Sequence, residues 1–407
     1  MSSKNKGFTS LCIPLLTLLI LFTGCEDPGS VGGEFIDKQE LTFDTLSISG
    51  IQTQSFSGYT GRLNFVTMGK YSDPIFGDID ATAILKPDIS ASLPEGDQLH
   101  EDYSMKLELV IDSINTYGDT FSEANYTIYE VASQWNGATY RFDSELDYNN
   151  TTPVGTFNLN DEGVDTVVVD LSDEWKDVFA GFYHNEGSGA DSSYRHDFHG
   201  LALVADDGTN KISFPNINSS RFLAINNVDP DTTNFSIRDW AYTLDRTGET
   251  TQEDVSVLHT TLEKMLLINL DEFLNQFVDE NFIRAEILLQ EATEELELLV
   301  HENRLGVNSL RIDIGYEEDP AYEFQLGGAE TIGFKDSDNS FRINLTNYLN
   351  NSVYGSEDRT EFYIGVGSNT DELRSTGILR STLIYNETAS EALRPKIIIT
   401  SLTGDEE

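Results

Sequence analysis

The chain has two cysteines in 407 residues, Cys12 and Cys25, and none after residue 25. The long remainder therefore forms no internal disulfide, and its stability has to come from apolar cores, with or without bound cations. Basic residues are scarce: 25 Lys and Arg stand against 70 Asp and Glu, a formal charge of −45. Phosphate binding needs a basic surface, so nucleic acid is excluded as a partner. An anionic membrane surface would repel the domains as a whole. Long apolar runs are missing too; the run at 11–22 falls short of the ~20 residues that cross a bilayer as a helix. Also missing are the Gly-x-Ser-x-Gly elbow, the Gly-x-x-x-x-Gly-Lys phosphate loop, His-Glu-x-x-His and the dinucleotide fingerprint. Paired carboxylates could hydrolyse glycosides, but among 70 acids that requirement selects no pair. The expectation is a non-enzymatic protein.

What is present begins at the N-terminus. Lys4 and Lys6 lead into the apolar run, which ends at Leu21-Phe22-Thr23-Gly24-Cys25. A basic start, a short apolar stretch and a small residue before cysteine resemble a bacterial lipoprotein signal, with Phe22 where leucine is usual. The resemblance implies removal of residues 1–24, acylation of Cys25 and a lipid anchor in the outer membrane; a cysteine nucleophile is then unavailable. Residues 25–40, rich in Gly, Pro, Ser and acids, read as a flexible tether. The acids directly after Cys25 resemble the signal that sends Bacteroidota lipoproteins to the cell exterior, and they also suit a plain solvated linker. The acidity favours solubility and attraction of divalent cations, and adaptation to a salty medium accounts for it equally well. With 39% hydrophobic residues, 23 Phe and 17 Tyr, the chain has the means to bury cores and is not a disordered acidic chain.

Most patterned segments alternate with period two, as half-buried strands do. They fall at 105–111, 126–131, 166–171, 201–205 and 221–226, and again at 283–289, 296–300, 310–314, 341–345, 362–366 and 396–400. Asn136-Gly137 and Asp206-Asp207-Gly208 supply turns between them. The halves resemble each other in order: a strand, a short amphipathic helix, a Gly-containing loop and a further strand. Trp175, Val178, Phe179 and Phe182 mark the first helix at i, i+3, i+4 and i+7; Tyr348, Leu349 and Val353 mark the second. The fold expected is all-β: two tandem antiparallel β-sandwiches, jelly-roll-like, with short amphipathic helices. The domains expected are 41–235 and 253–402, with a linker at 236–252 whose Trp240 and Tyr242 pack between them, and an acidic tail at 403–407.

The segment Tyr71-Ser72-Asp73-Pro74-Ile75-Phe76-Gly77 resembles a Tyr-x-Asp-Pro-x-Phe-Gly signature of Bacteroidota outer-membrane lipoproteins grouped as domain-of-unknown-function family 4270. Phe198-His199-Gly200-Leu201-Ala202-Leu203 and Ile212-Ser213-Phe214 agree with it. That resemblance carries no established activity and no site residues. Physically, Asp73-Pro74 starts a turn and Gly77 ends it, while Ile75 or Phe76 plugs a core edge. A weaker similarity, at Tyr129-Glu130-Val131-Ala132-Ser133-Gln134-Trp135, runs to structural and adhesive sandwich modules.

Candidate sites are few. His184, His196 and His199, near Glu186, Asp191 and Asp197, could offer imidazoles to zinc or copper, although 187–193 reads as a mobile loop on which histidines are simply solvated. Asp336-Ser337-Asp338-Asn339-Ser340 opens like a calcium loop, but Phe341 and Asn347 stand where glycine and glutamate are needed, so a hairpin turn fits better; Ca2+ elsewhere has no assigned position. Trp135, with Tyr140 and Tyr148, could form a sugar platform or cap a sandwich end, and Trp175 is core. Two functions follow as expectations. One is an accessory or scaffold subunit docked to another outer-membrane protein, with an open apolar face. The other is a glycan- or polymer-binding surface protein.

Overall fold

The structure is a computed structural model. It describes residues 40–403 except 96, 100–101, 113, 120, 160–164, 186–189, 230, 251, 277–280, 295–305, 314–330, 355–359 and 368–375. The signal sequence, Cys25, the tether up to residue 39, the strand expected at 296–300 and residues 404–407 lie outside the described residues.

The chain is mostly β and antiparallel throughout, as its alternating segments foretold. In the first half, β13 (Thr232–Phe235), β12 (Arg221–Asn226), β5 (Tyr103–Val110) and β9 (Thr166–Asp170) form one sheet in that order. It faces a sheet ordered β6 (Tyr117–Gly118), β11 (Lys211–Ser213), β3 (Met68–Asp73), β4 (Gly77–Pro87), β10 (Leu201–Ala205), β7 (Asn125–Glu130) and β8 (Gly155–Asn158). β14 (Ile237–Thr247) runs along the other edge of β4. Alternation does what it should: Met105, Leu107 and Leu109 face Ala81, Ala83, Leu201 and Leu203 in one dry core.

The second half repeats the plan. One sheet is β1 (Glu40–Ser47), β23 (Lys396–Thr403), β17 (Asn281–Gln290) and β20 (Ser340–Asn344); the other is β19 (Thr331–Phe334), β18 (Ser309–Asp313), β21 (Glu361–Val366), β16 (Lys264–Asn269) and β2 (Ile51–Ser55). β15 (Val255–His259) pairs with β22 (Ser381–Tyr385). Strand for strand, β4, β5, β7, β9, β10 and β12 correspond to β16, β17, β18, β20, β21 and β23. The low-identity repeat is thus one topology used twice.

The helices are α1 (Asp173–Tyr183), α2 (Ala190–Asp197), α3 (Asp271–Leu274) and α4 (Thr346–Tyr354). Ser172 caps α1 by accepting from the Trp175 amide at 3.3 Å, and Asp173 and Glu174 suit its positive end. Trp175 and Phe179 lie one turn apart, stacked at 5.8 Å and buried. Val178, expected on the same face, is nearly half exposed. Residues 190–193, read as loop, form the first turn of α2. No helix among the described residues is long and apolar enough to cross a membrane.

Two expected boundaries are wrong. Residues 40–55 belong to the second sandwich, not the first: β1 pairs with β23 over eight positions and β2 pairs with β16. They occupy the places that β13 and β14 hold in the first half, so the chain opens with the last hairpin of its second domain. The linker expected at 236–252 is largely strand β14, paired with β4 from Ile237 to Thr247. Trp240 and Tyr242 accordingly pack in the first sandwich, where the Trp240 indole donates to the Leu63 carbonyl at 2.6 Å.

The Asp-Pro-Ile-Phe-Gly turn joins the halves. One oxygen of Asp73 accepts from the Ile75 and Phe76 amides, each at 2.8 Å, and the other from the Tyr117 hydroxyl at 2.6 Å. Gly77 closes the turn at φ +82°, a region that favours glycine. Held this way, Ile75 and Phe76 enter a buried cluster with Val255, Val257, Leu383 and Tyr385 from the second half. In the opposite direction, Ile378 and Leu379 enter the core of the first sandwich. Gly377, at φ +90°, carries that crossing; a Cβ there would lie 2.1 Å from the Phe65 carbonyl oxygen.

Candidate functional site

A cleft of about 450 Å3 opens on the first sandwich, lined by Arg62, Lys86, Gln134, Trp135, Asn136, Arg195, His196, Arg238 and Asp239. Four of these nine residues are Lys or Arg, in a chain that has 25 among 407 residues. Such a concentration runs against the composition of the whole molecule.

Each cation is delivered by a different element. Lys86 comes from the end of β4. Its ammonium donates to the carbonyls of Tyr194 at 2.8 Å and Arg195 at 3.2 Å and sits 4.7 Å from the Tyr194 ring centre. Burial pushes its pKa down to about 8, against the pull of Asp239. Arg238 and Asp239 stand at a β-bulge where β14 shifts register against β4. A bulge breaks the strict alternation of side chains, and here two successive residues line one cleft. Arg238 donates to Asp191 at 2.7 Å and its guanidinium lies 5.5 Å from the other partner of the cluster, the Tyr194 ring. Arg195, one turn along α2 from Asp191, pairs with it at 2.5 Å; the Arg238 hydrogen bond holds the Asp191 carboxyl below its ordinary value. Arg62 reaches Asp239 at 3.1 Å and stays half exposed. Four cations thus share two carboxylates, leaving the cleft net positive.

Trp135 supplies the aromatic wall. It is half buried, its indole N–H donates to the His199 carbonyl at 2.7 Å, and Tyr140 meets it edge-on at 5.9 Å. Asn136 accepts from the Ala138 amide at 3.0 Å, starting the turn that holds this wall. Tyr140 is buried beneath and cannot be a platform. Tyr148 stacks on Tyr129 at 5.5 Å, away from the cleft lining. Of the three aromatics singled out in the sequence, Trp135 alone lines the cleft.

The three histidines do not gather. His184 accepts from the Leu99 amide at 2.9 Å. His196 lines the cleft, 2.7 Å from the Gln134 amide nitrogen. His199 is kept below its usual pKa by burial and by Lys86, and its Nδ1 has no hydrogen-bond partner among the described residues. No group of three or more His, Cys, Asp or Glu side chains is placed to hold a metal among the described residues; Glu186 lies outside them. Asp336–Ser340 is the expected hairpin turn: the Asp336 amide donates to the Ser340 carbonyl at 2.8 Å, Asn339 takes φ +61°, and Asp338 accepts from the Ser340 hydroxyl at 2.7 Å.

A second constellation, which no motif or spacing signals, lies at the junction of the halves. His259 Nδ1 lies 2.7 Å from the Ser381 hydroxyl and its Nε2 lies 2.6 Å from Glu249. Lys264 also pairs with Glu249, and Arg246 with Glu263 at 3.1 Å. Serine, histidine and glutamate are the residue types of a hydrolytic triad, but His259 and Ser381 are buried, so a substrate carbonyl has no approach to that hydroxyl. The group clasps the end of β14 to β15, β16 and β22. A larger cavity of about 700 Å3 beside the β1–β2 turn and α3 is lined by Ser, Gly, Gln, Asn, acids and a few apolar residues, with no cation among them.

No family model matches the chain, and no curated protein does. Among solved structures, the C-terminal domain of the antigen I/II-family protein AspA of Streptococcus pyogenes aligns at 7% identity over 84% of this chain and 92% of that one, with a TM-score of 0.13. The M60 catalytic domain with CBM51-1 and CBM51-2 of Clostridium perfringens ZmpB aligns at 9% identity over 90% of this chain and 39% of that one, with a TM-score of 0.15. Likenesses this slight bear on neither fold nor function.

Proposed function

We propose that the chain is a non-enzymatic lipoprotein, anchored at Cys25 in the outer membrane and facing the cell exterior, whose cleft binds an acidic glycan or polymer. The resemblance of its N-terminus to a lipoprotein signal supports the address. The observation that supports the ligand is the cleft itself: Arg62, Lys86, Arg195 and Arg238 converge beside Trp135 in a strongly acidic protein. Guanidinium groups take carboxylate or sulfate oxygens two at a time, and an indole gives a sugar ring an apolar surface to lie on. A neutral glycan would leave the cations unused. The cleft draws on β4, α2, β14 and two loops, all held by the packed sandwich, as a largely preformed site requires.

The test is binding of the intact protein to an array of uronate-bearing, sulfated and neutral polysaccharides, with Trp135→Ala and Arg238→Gln beside it. Retention on the acidic polymers, weakened by salt and by either substitution, is the expected result. Equal retention on neutral polymers, or indifference to both substitutions, refutes the reading. The second reading, an accessory or scaffold subunit of an outer-membrane complex, is favoured by the uncovered apolar face of the sheet that contains β1. Co-purification of an outer-membrane protein in stoichiometric amount from detergent-solubilised membranes is its test.

A further inference from the structure

The outward face of the sheet β1-β23-β17-β20 departs from the rest of the molecule in two ways. It is apolar: Phe43 is 74% exposed, Leu41 50% and Ile283 49%. Register places Leu41 opposite Leu402, with Phe43 and Ile398 at further outward positions of β1 and β23, while Ile397 and Ile399 point into the core. It is also poor in acid. On the outward positions of these four strands the described residues offer Lys396, Arg284 and Arg342 against one carboxylate, Glu286, which Arg284 pairs at 2.8 Å; Asp336, in the turn before β20, pairs Arg342 at 3.3 Å, so the local balance stays one charge positive. The whole chain has nearly three acids for every base.

We infer that this face lies against the membrane surface. The inference rests on the reading of Cys25 as the lipidated residue. The chain's own geometry supports it: Glu40 opens β1, and the fifteen residues from Cys25 to Glu40 span at most about 50 Å even when fully extended. The anchor therefore enters the fold at the edge of a face that, among the described residues, combines exposed Phe and Leu with a local excess of cations. Apolar side chains that enter the headgroup boundary, flanked by bases that meet lipid phosphates, are how a protein lies on a bilayer without crossing it. The strongly acidic remainder of the molecule then turns away from the surface.

A chain whose described part contains no thiol permits a clean test. Phe43→Cys, and Val228→Cys in an exposed loop of the first sandwich, are each labelled with an environment-sensitive fluorophore in the full lipidated protein. The protein is reconstituted into vesicles of phosphatidylethanolamine and phosphatidylglycerol, with or without brominated acyl chains, and the mass of the Cys25 peptide reports acylation. The expected result is a blue shift and loss of most emission at position 43 in brominated vesicles, with neither change at 228. With Cys25 acylated, an unquenched, water-like spectrum at 43 overturns the inference and leaves the lipoprotein reading standing. So does a blue-shifted but unquenched spectrum, which assigns the face to a second copy or to residues 26–39 of the same chain. An unacylated Cys25 removes the reading and the inference together.

Discussion

Glu249 gives the most quantitative handle on how the two sandwiches hold each other. Burial would raise its carboxyl, but the hydrogen bonds from His259 and Lys264 prevail and hold it at about 2 against an ordinary 4.5. At ~1.4 kcal/mol for each tenfold change in proton affinity, that depression is worth about 3 kcal/mol of folding stability. The native carboxylate takes its proton only near pH 2, whereas the unfolded chain takes it near 4.5. The stabilisation is therefore complete above about pH 4.5 and is lost as the pH falls, with about 2 kcal/mol of it gone by pH 3. His259 acts in the same sense: burial and Arg246 keep it below its ordinary 6.5, so the unfolded chain protonates first as the pH drops. In Glu249→Gln the titration is removed. Urea denaturation of the two proteins at intervals from pH 7 to 3 is expected to show the variant less stable at neutral pH, with the gap closing below pH 4.5. The other acids contribute a slope common to both proteins, which cancels in the difference. A gap that stays constant over the whole range would falsify the assignment of this carboxylate to a buried clasp.

Three further outcomes follow from the packing. Phe76→Ala removes a fully buried ring and is expected to cost about 3–5 kcal/mol; hydrogen exchange should quicken in β15 and β22 while β5 and β12 stay protected. Gly377→Ala asks for a Cβ at φ +90° against the Phe65 carbonyl and is expected to cost at least about 1–3 kcal/mol, seen as a lower thermal midpoint; an unchanged midpoint would mean the crossing segment relaxes freely. Deleting residues 40–55 strips β23 and β16 of a partner each, so circular dichroism and exchange should report a disordered second sandwich and a protected first one.

The parts of the fold that were legible in the sequence are those in which one element carries its own pattern. Leu107 and Leu109 alternate because one face of β5 is dry, and Trp175 and Phe179 keep helical spacing because one face of α1 is dry. β14 was hidden because Ala241, Tyr242 and Leu244 are all buried; contacts on both faces erase the period of two, and the Asp and Thr around them look like a linker. The return of β1 and β2 to the second sandwich is a choice of partner, which no local pattern encodes. The cleft was hidden for a similar reason. Arg62, Lys86, Arg195 and Arg238 come from distant segments of the chain, and no local pattern links them until the fold collects them. Trp135 was visible, since a tryptophan beside Asn136-Gly137 signals a ring at a turn, but its cationic surroundings were not.

The pairing of β1 with β23 also decides how the molecule bears load. Tension from an anchor at Cys25 would enter at Glu40, along the axis of β1. Eight paired positions then resist together in shear, where a strand peeled from its end would yield one pair at a time. Drag on whatever the cleft holds would pass through the Phe76 and Leu379 crossings into the second sandwich and out by this strand. Strand β23 thus serves as the grip on β1, so a truncation that removes Lys396–Thr403 would free the strand through which any N-terminal load enters.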